Sequence, residues 1–267
     1  MVRRVSFLLL LSVVVSFAAA GPVSAAPASE LLGPDGPYRG RAPVGYMLVV
    51  HGGGWTMVGR EAMDSMRADV DRYRRRGWAV LNVTYRPGAD SMTDVERFYR
   101  QLRARARGRA VCADGASAGG HLVLMLAHRH PQLNCVIATG APTDLGSLPA
   151  APHPVRVAAE RYFGPRGGLD AWSPARLSLR VPTLAAAAAE DLVVPSAQTV
   201  LLAQRHPRVA RSMLLGSGSQ PFIHRSVDGD DLRAFHAAEA QLMRDAAKRA
   251  DARLAKRSQR KRGSRRR

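Results

Sequence analysis

The chain has 267 residues, of which 46% are hydrophobic and 23% charged, and this composition excludes a largely disordered protein. At this length one α/β domain is favoured over two. The chain is strongly basic, with 40 Lys and Arg against 21 Asp and Glu and a net charge of +19.

Residues 1–25 predict a secretory signal peptide. The positive segment MVRR precedes an apolar run of 16 residues from Val5 to Ala20, and Val23-Ser24-Ala25 fits a small-x-small cleavage site. The run is shorter than the roughly 20 residues that a membrane-spanning helix needs, and an uncleaved anchor is the alternative. We therefore expect a secreted or extracytoplasmic mature chain that starts near Ala26.

Residues 26–243 predict the catalytic domain. Residues 26–44 are rich in Pro, Gly and Ala and predict an irregular lead-in. Six apolar runs then alternate with segments of helical spacing, and this alternation predicts a mainly parallel sheet with helices on both faces. The predicted strands are YMLVV, WAVLNVTY, residues 109–114, NCVIATG, VPTLAAAAAED and RVARSMLL. The predicted helices are 64–77, 94–107, 118–130, a short one near PVRVAAERYF, SAQTVLLAQRH and DLRAFHAAEAQLMRDAAKR.

Residues 244–267 predict a basic, partly disordered tail. The segment carries 12 Lys and Arg against two Asp, and its end, KRSQRKRGSRRR, has almost no apolar residue that could build a core. Because the leader predicts export, nucleic acid is not the expected partner. We expect contact with anionic cell-surface polymer or lipid headgroups, and a solvated tail shaped by coding bias is the alternative.

Ser117 lies in the G-x-S-x-G sequence of residues 115–119, between a predicted strand and a predicted helix. Small neighbours allow the two elements to pass closely at a sharp, strained turn, which would hold the serine hydroxyl above the carboxyl edge of the sheet. Ser117 is therefore the candidate nucleophile, and a simple packing joint is the alternative.

The sequence HGGGW, residues 51–55, follows the first predicted strand. Its glycines leave backbone N–H groups free to point at one spot, as acyl transfer requires for the oxyanion of its transition state. We expect Gly53, Gly54 and the amide of Ala118 to form this oxyanion hole. Trp55 either walls the acyl pocket as a substrate-binding residue or is a packing residue.

Asp191 is the candidate acid of a triad. It lies in EDLVVP, where a predicted strand ends in a loop, 74 residues after Ser117. An aspartate there could orient a histidine and stabilise its charged form. Glu190 is the rival carboxylate.

His224 is the candidate base. It follows the last predicted strand in a glycine-rich loop, at the sheet edge from which a base could reach Ser117. His206 precedes that strand, and His236 falls within the terminal helix, so both are less suitable. The order Ser, Asp, His is that of α/β hydrolases.

Cys112 and Cys135 fall in two predicted strands. An exported protein tolerates a disulfide, and a bridge requires the two strands to be neighbours. A disulfide and a pair of buried free thiols both remain open.

HGGGW, GASAGGHL, EDLVVP and a late histidine resemble the α/β-hydrolase superfamily, more narrowly its carboxylesterase and hormone-sensitive-lipase-like members. VTYRP and APTDL also look like that family. The resemblance implies an α/β-hydrolase fold and ester hydrolysis through an acyl-enzyme, with Ser117 as nucleophile, His224 as base and Asp191 as its orienting acid. It implies no metal and no organic cofactor.

Two departures from the family stand out. The family usually has a glycine before the catalytic histidine, where this chain has Ile223. The short lead-in leaves little room for the family's first strands and cap, so we expect a trimmed sheet of about six strands, little or no cap domain and an open cleft. An open cleft suits a short acyl group on a small-molecule or glycan-linked ester.

Two other functions remain open. One is a serine peptidase or amidase on the same fold, because a triad does not discriminate esters from amides. The other is a non-catalytic cell-surface binding protein that retains a hydrolase fold.

Overall fold

The computed structural model describes residues 26–150 and 153–264, with the side chains of the last helix described as far as residue 260. The predicted signal peptide and residues 265–267 of the predicted tail lie outside the described residues. Among the described helices, none is both long and apolar enough to span a bilayer.

A seven-stranded, mainly parallel sheet forms the middle layer. Its strands are β1 (Ser29–Leu32), β2 (Gly45–Val50), β3 (Trp78–Val83), β4 (Ala110–Ala116), β5 (Cys135–Thr139), β6 (Thr183–Ala188) and β7 (Ala210–Leu215). Their order across the sheet is β1-β3-β2-β4-β5-β6-β7, and only β1 pairs antiparallel. The carboxyl ends of β2 to β7 therefore meet at one edge, here called the carboxyl edge, and their amino ends meet at the opposite edge, the amino edge.

The expected α/β-hydrolase sheet is confirmed, with one strand more than the six predicted. The additional strand, β1, lies in the stretch 26–44 that was expected to be an irregular lead-in. Because β1 is an edge strand, its four residues alternate between exposed and half-buried positions, unlike the fully buried β3 to β6. A short, half-exposed strand gives no continuous apolar run, so the sequence did not reveal it.

Seven α-helices cover the two faces of the sheet in the described chain. They are α1 (Arg60–Asp64), α2 (Arg67–Arg75), α3 (Asp90–Ala106), α4 (Ala118–Arg129), α5 (Pro154–Phe163), α6 (Ala197–Arg205) and α7 (Gly229–Ser264). The helices α3, α4 and α6 bury apolar side chains in one core. A second core lies between the sheet and the helices α2 and α7.

The longest excursion between strands of the sheet, residues 140–182, holds α5 and several short 3₁₀ turns, with residues 151–152 undescribed. Its side chains Ala159, Phe163 and Trp172 are buried in the core beside α4. Over the described residues this segment packs onto the domain and forms no separate cap.

The structure places no boundary at residue 244, where the sequence predicts that the domain ends. The helix α7 runs unbroken from Gly229 to Ser264. Ala246, Ala247 and Ala250 are buried in the second core, so the packed domain continues beyond residue 243. These alanines extend the apolar stripe of the helix at a spacing of three to four residues, which the charges around them conceal in the sequence.

A disulfide joins Cys112 of β4 to Cys135 of β5, so of the two alternatives the structure has the bridge. The two residues are direct partners in the parallel ladder, and their Cα atoms are 4.7 Å apart. The bridge therefore ties the strand that leads to Ser117 to its neighbour.

We predict that Gly119→Ala destabilises the fold strongly. A Cβ atom at Gly119 would lie 2.1 Å from the carbonyl oxygen of Val50 and 2.4 Å from that of His51. Backbone atoms cannot move aside as a side chain can, so we expect a loss of about 3 kcal/mol or more in the free energy of unfolding, measured with urea. Gly164→Ala is the control, because a Cβ there meets nothing within 4 Å. Equal stability of the two variants would contradict the prediction.

Candidate active site

Ser117 sits at the turn between β4 and α4, near the middle of the sheet. Its backbone has φ +53° and ψ −118°, a strained conformation for a residue with a side chain. Its amide donates a hydrogen bond to the carbonyl of Thr139 at the end of β5, at 2.7 Å. The side chain therefore projects from a fixed turn at the carboxyl edge, as a nucleophile on such a turn requires.

Asp191 and His224 form a hydrogen-bonded pair at the same edge. His224 Nδ1 lies 2.9 Å from Asp191 Oδ2. The other carboxylate oxygen, Oδ1, accepts hydrogen bonds at 2.8 Å from the amides of Val193 and Val194. The Asp191 side chain is fully buried. Because a carboxylate oxygen only accepts hydrogen bonds, His224 Nδ1 carries the proton and donates, and Nε2 is left free to accept one.

The histidine pair and the serine turn meet at the end of β5. A Cβ atom at Gly140 would lie only 3.0 Å from His224 Nδ1. Gly140 follows Thr139, whose carbonyl holds the Ser117 amide. In the described chain Ser117 Oγ makes no hydrogen bond to His224 within 3.5 Å, and hydrogen bonds between catalytic side chains often form only when substrate is bound.

The glycine loop after β2 lies directly against the serine turn. A Cβ atom at Gly52 would lie 3.0 Å from the carbonyl oxygen of Ala116 and 3.2 Å from Ser117 Cβ. Gly53 and Gly54 follow with φ of +98° and +59°, a backbone that glycine adopts without strain. The amides of Gly53, Gly54 and Ala118 donate no hydrogen bond to another described residue. These three amides are thus free for a ligand oxygen.

Side chains from the end of β3 hold this glycine loop. Tyr85 stacks on the His51 ring at 4.4 Å between centroids, and its hydroxyl donates to the carbonyls of His51 and Gly52. His51 Nε2 lies 3.0 Å from Thr84 Oγ1. Thr84 and Tyr85 of the VTYRP sequence therefore hold the glycine loop in one conformation.

Trp55 is a packing residue, and its assignment to substrate binding is wrong. Its side chain is 0% exposed, so it contacts no substrate cavity. The indole Nε1 donates to His121 Nδ1 at 3.2 Å, and the ring packs edge-on against Phe163. In the core the indole N–H has a hydrogen-bond acceptor and the ring has apolar neighbours. The sequence around Trp55 is compatible with a core position and with a cleft position, so it did not decide between them.

His121 lies on α4 and holds the end of the glycine loop against this helix through Trp55. Its Nδ1 accepts from Trp55, so Nε2 carries the proton and donates to the Trp172 carbonyl at 2.8 Å. Burial lowers the pKa of His121 from 6.5 to about 4, because the charged form would lose its hydration. Protonation of Nδ1 would also break the bond from Trp55.

We predict that His121 makes stability fall with acidification. Between pH 6.5 and 4 the unfolded chain binds a proton that the folded chain rejects. The contribution of neutral His121 to the free energy of unfolding is therefore fully present above pH 6.5. It is lost as the pH falls through about 4, and the whole loss is about 3 kcal/mol. Urea unfolding from pH 7 to 4 should give a shallower pH dependence for His121→Gln than for the wild type. Parallel curves for the two proteins would refute the assignment.

The rival residues lie elsewhere. Glu190 accepts from Ser217 and pairs with Arg225 on the exposed side of the loop. His206 Nε2 lies 3.2 Å from the Pro174 carbonyl near the amino edge, and His236 lies on α7.

Two residues that support the site were missed by sequence reasoning. Gly140 adopts φ +55° and admits the imidazole of His224, and His121 anchors Trp55. The glycine that ends NCVIATG and the histidine of GASAGGHL were the available signals, but their contacts come from segments distant in the sequence.

Comparisons with known proteins agree with this geometry. Residues 36–151 match the family model BD-FAE. No curated protein sequence matches the chain. Three solved esterase structures share the fold over most of both chains.

Esterase 2 of Thermogutta terrifontis, phosphonylated by sarin, is 20% identical; the match covers 86% of this chain and 90% of that chain, with a TM-score of 0.59. The same esterase is known with butyrate bound. A truncated carbohydrate esterase from gut microbiota is 15% identical, with coverage of 82% and 90% and a TM-score of 0.65. EstE5 with PMSF is 18% identical, with coverage of 83% and 85% and a TM-score of 0.63. These matches show that the chain shares the α/β-hydrolase fold that the sequence predicts.

Proposed function

We propose that the chain is an α/β hydrolase in which Ser117, His224 and Asp191 cleave carboxylic esters through an acyl-enzyme. The observation that carries this proposal is the hydrogen bond of 2.9 Å between His224 and the buried Asp191, at the sheet edge where the strained Ser117 turn lies. A histidine held in this way has its second nitrogen free to accept the serine proton.

The reaction has two halves. Ser117 Oγ attacks the ester carbonyl carbon while His224 Nε2 takes the hydroxyl proton, and the carbonyl oxygen becomes an oxyanion. The intermediate collapses as His224 returns the proton to the leaving alkoxide, which departs as the alcohol. Water then attacks the acyl-enzyme with the same proton transfers and releases the acid and the free serine.

Three backbone amides, those of Gly53, Gly54 and Ala118, are assigned as the hydrogen-bond donors to the oxyanion in both halves of the reaction. None of them donates a hydrogen bond to another described residue. Their positions are fixed before substrate binds, by the Tyr85 hydroxyl below the loop and by the bond from Trp55 to His121. Donors that need no reorganisation stabilise developing charge most effectively.

We assign the substrate to short acyl esters of a bulky or glycan-linked alcohol. The segment 140–182 packs onto the core over its described residues, so little apolar surface is available to cover a long acyl chain. The butyrate bound to the Thermogutta terrifontis esterase and the carbohydrate esterase among the related structures support the two parts of this assignment.

Secretion is also part of the proposal. The leader of residues 1–25 has the composition of a signal peptide. The disulfide between Cys112 and Cys135 is consistent with an oxidising compartment outside the cytoplasm.

We predict that a fluorescent alkyl phosphonate labels Ser117 in the mature protein. The phosphonate reacts with an activated serine, so Ser117→Ala should abolish labelling, while Ser212→Ala, an exposed serine on β7, should label as the wild type does. Asp191→Asn should slow labelling and ester hydrolysis by about 10⁴-fold, because the histidine loses its orienting acceptor. A folded wild-type protein that does not label would favour the non-catalytic binding protein.

We predict that kcat/KM for p-nitrophenyl esters reaches its highest level between acetate and butyrate and does not rise further with chain length up to laurate. The physical reason is that each methylene beyond the pocket stays in water and adds no binding free energy. Initial rates for a graded acyl series below the micellar concentration measure this profile. A maximum at long chains would overturn the short-acyl assignment and leave the triad assignment intact.

A further inference from the structure

Arginines gather at the amino edge of the sheet, opposite the candidate active site. Because β2 to β7 are parallel, the turns that lead into them share one edge. Arg75 precedes β3, Arg107 precedes β4, Arg180 precedes β6 and Arg208 precedes β7, and all four are exposed. Six of the seven strands span about 24 Å at the usual strand spacing, so these charges line a broad strip.

The end of α7 adds to this strip. Ala250 and Ala110, the first residue of β4, lie in the same core, and a Cβ at Gly108 would lie 2.5 Å from Leu254. The helix therefore passes the turn between α3 and β4 and projects beyond the amino edge. From residue 251 to 260 every residue except Leu254 is exposed, and the cationic ones are Arg253, Lys256, Arg257 and Arg260. Residues 251–264 extend about 20 Å at the helical rise.

The direction of α7 is fixed by a buried ion pair cluster. Glu239, which is fully buried, accepts from Arg72 at 2.9 Å and from the Tyr73 hydroxyl at 2.7 Å, and it also pairs with Arg76. Three donors from α2 and the turn that follows it hold one carboxylate of α7. The projecting end is therefore carried on a helix that is anchored to the domain.

The cationic side chains of this strip lack acidic partners. Among the described residues, no carboxylate lies within 4.0 Å of Arg75, Arg107, Arg180, Arg208 or Arg253. By contrast, Arg72, Arg86 and Arg156, away from the strip, each pair with a carboxylate. The strip therefore carries cationic charge that no described carboxylate neutralises directly.

We propose that this amino-edge strip, with the projecting end of α7, is a docking surface for a linear acidic polysaccharide. Guanidinium groups bind sulfate and carboxylate oxygens in pairs, and a row of them matches a chain of regularly spaced anions. The span of the strip exceeds that of any single small anion. The proposal does not rest on the ester hydrolysis proposed above.

Two other polyanions fit less well. A helix that inserts into a bilayer surface needs an apolar face, and residues 251–260 offer only Leu254, which packs against the domain. Single-stranded nucleic acid stacks on aromatic side chains, and residues 244–260 contain none. The disulfide between Cys112 and Cys135 also indicates a compartment outside the cytoplasm.

Docking at this edge would leave the candidate active site open. Ser117 and His224 lie at the carboxyl edge, and the turns that carry the arginines lie at the amino edge, at the opposite ends of the strands. A polymer bound along the amino edge therefore does not cover the catalytic groups. The surface would hold the protein at an acidic matrix with its cleft facing outward.

Binding of the mature full-length protein to heparin, a sulfated polysaccharide, tests the proposal. The face variant carries Arg107→Gln, Arg253→Gln and Arg257→Gln. The control variant carries Arg60→Gln, Arg161→Gln and Arg233→Gln, three exposed arginines away from the strip. The two variants have the same net charge, and circular dichroism checks that both fold.

We expect the wild type and the control to bind soluble heparin with a similar Kd, and the face variant at least about tenfold more weakly, with a shallower dependence of log Kd on log salt. Equal weakening of both variants would show attraction to net charge alone and would overturn the proposal. Tighter binding to phosphatidylglycerol vesicles or to DNA than to heparin at the same salt concentration would overturn it in favour of those partners.

Discussion

The close approach between the first turn of α4 and the carboxyl end of β2 is the constraint on which the candidate active site depends. Gly119 has no Cβ, and its backbone therefore lies against the carbonyls of Val50 and His51. This contact brings the serine turn and the glycine loop side by side, so that free amides from two distant segments lie near each other. A side chain at this position would push the serine turn away from the glycine loop.

The groups around this contact are held by buried polar bonds. The indole of Trp55 reaches His121 on α4, and the Tyr85 hydroxyl reaches the loop carbonyls. Each of these bonds satisfies a polar group that would be costly to bury alone, so the loop has one low-energy conformation. The disulfide between β4 and β5 adds a covalent tie beneath Ser117 and Thr139. Such a scaffold holds the free amides of the loop and the serine turn in fixed positions, as the proposed oxyanion hole requires.

The parallel sheet also separates two kinds of chemistry in space. Every parallel strand has its outgoing loop at one edge and its incoming turn at the other. The outgoing loops carry Ser117, Asp191 and His224, and the incoming turns carry exposed arginines that pair with no carboxylate among the described residues. A single topology thus places the candidate catalytic residues and these arginines at opposite ends of the strands.

The sequence by itself determined the buried strands, the serine turn and the order of the candidate nucleophile, acid and base, because continuous apolar runs and glycines at sharp turns are local signals. It did not reveal β1, whose half-exposed residues lack such a run, or the buried alanines that carry α7 past residue 243. Only the tertiary structure decided that Trp55 lies in the core and that Asp191 meets His224. Those outcomes depend on which segments become neighbours, and a side chain's own sequence context does not encode its partner across the sheet.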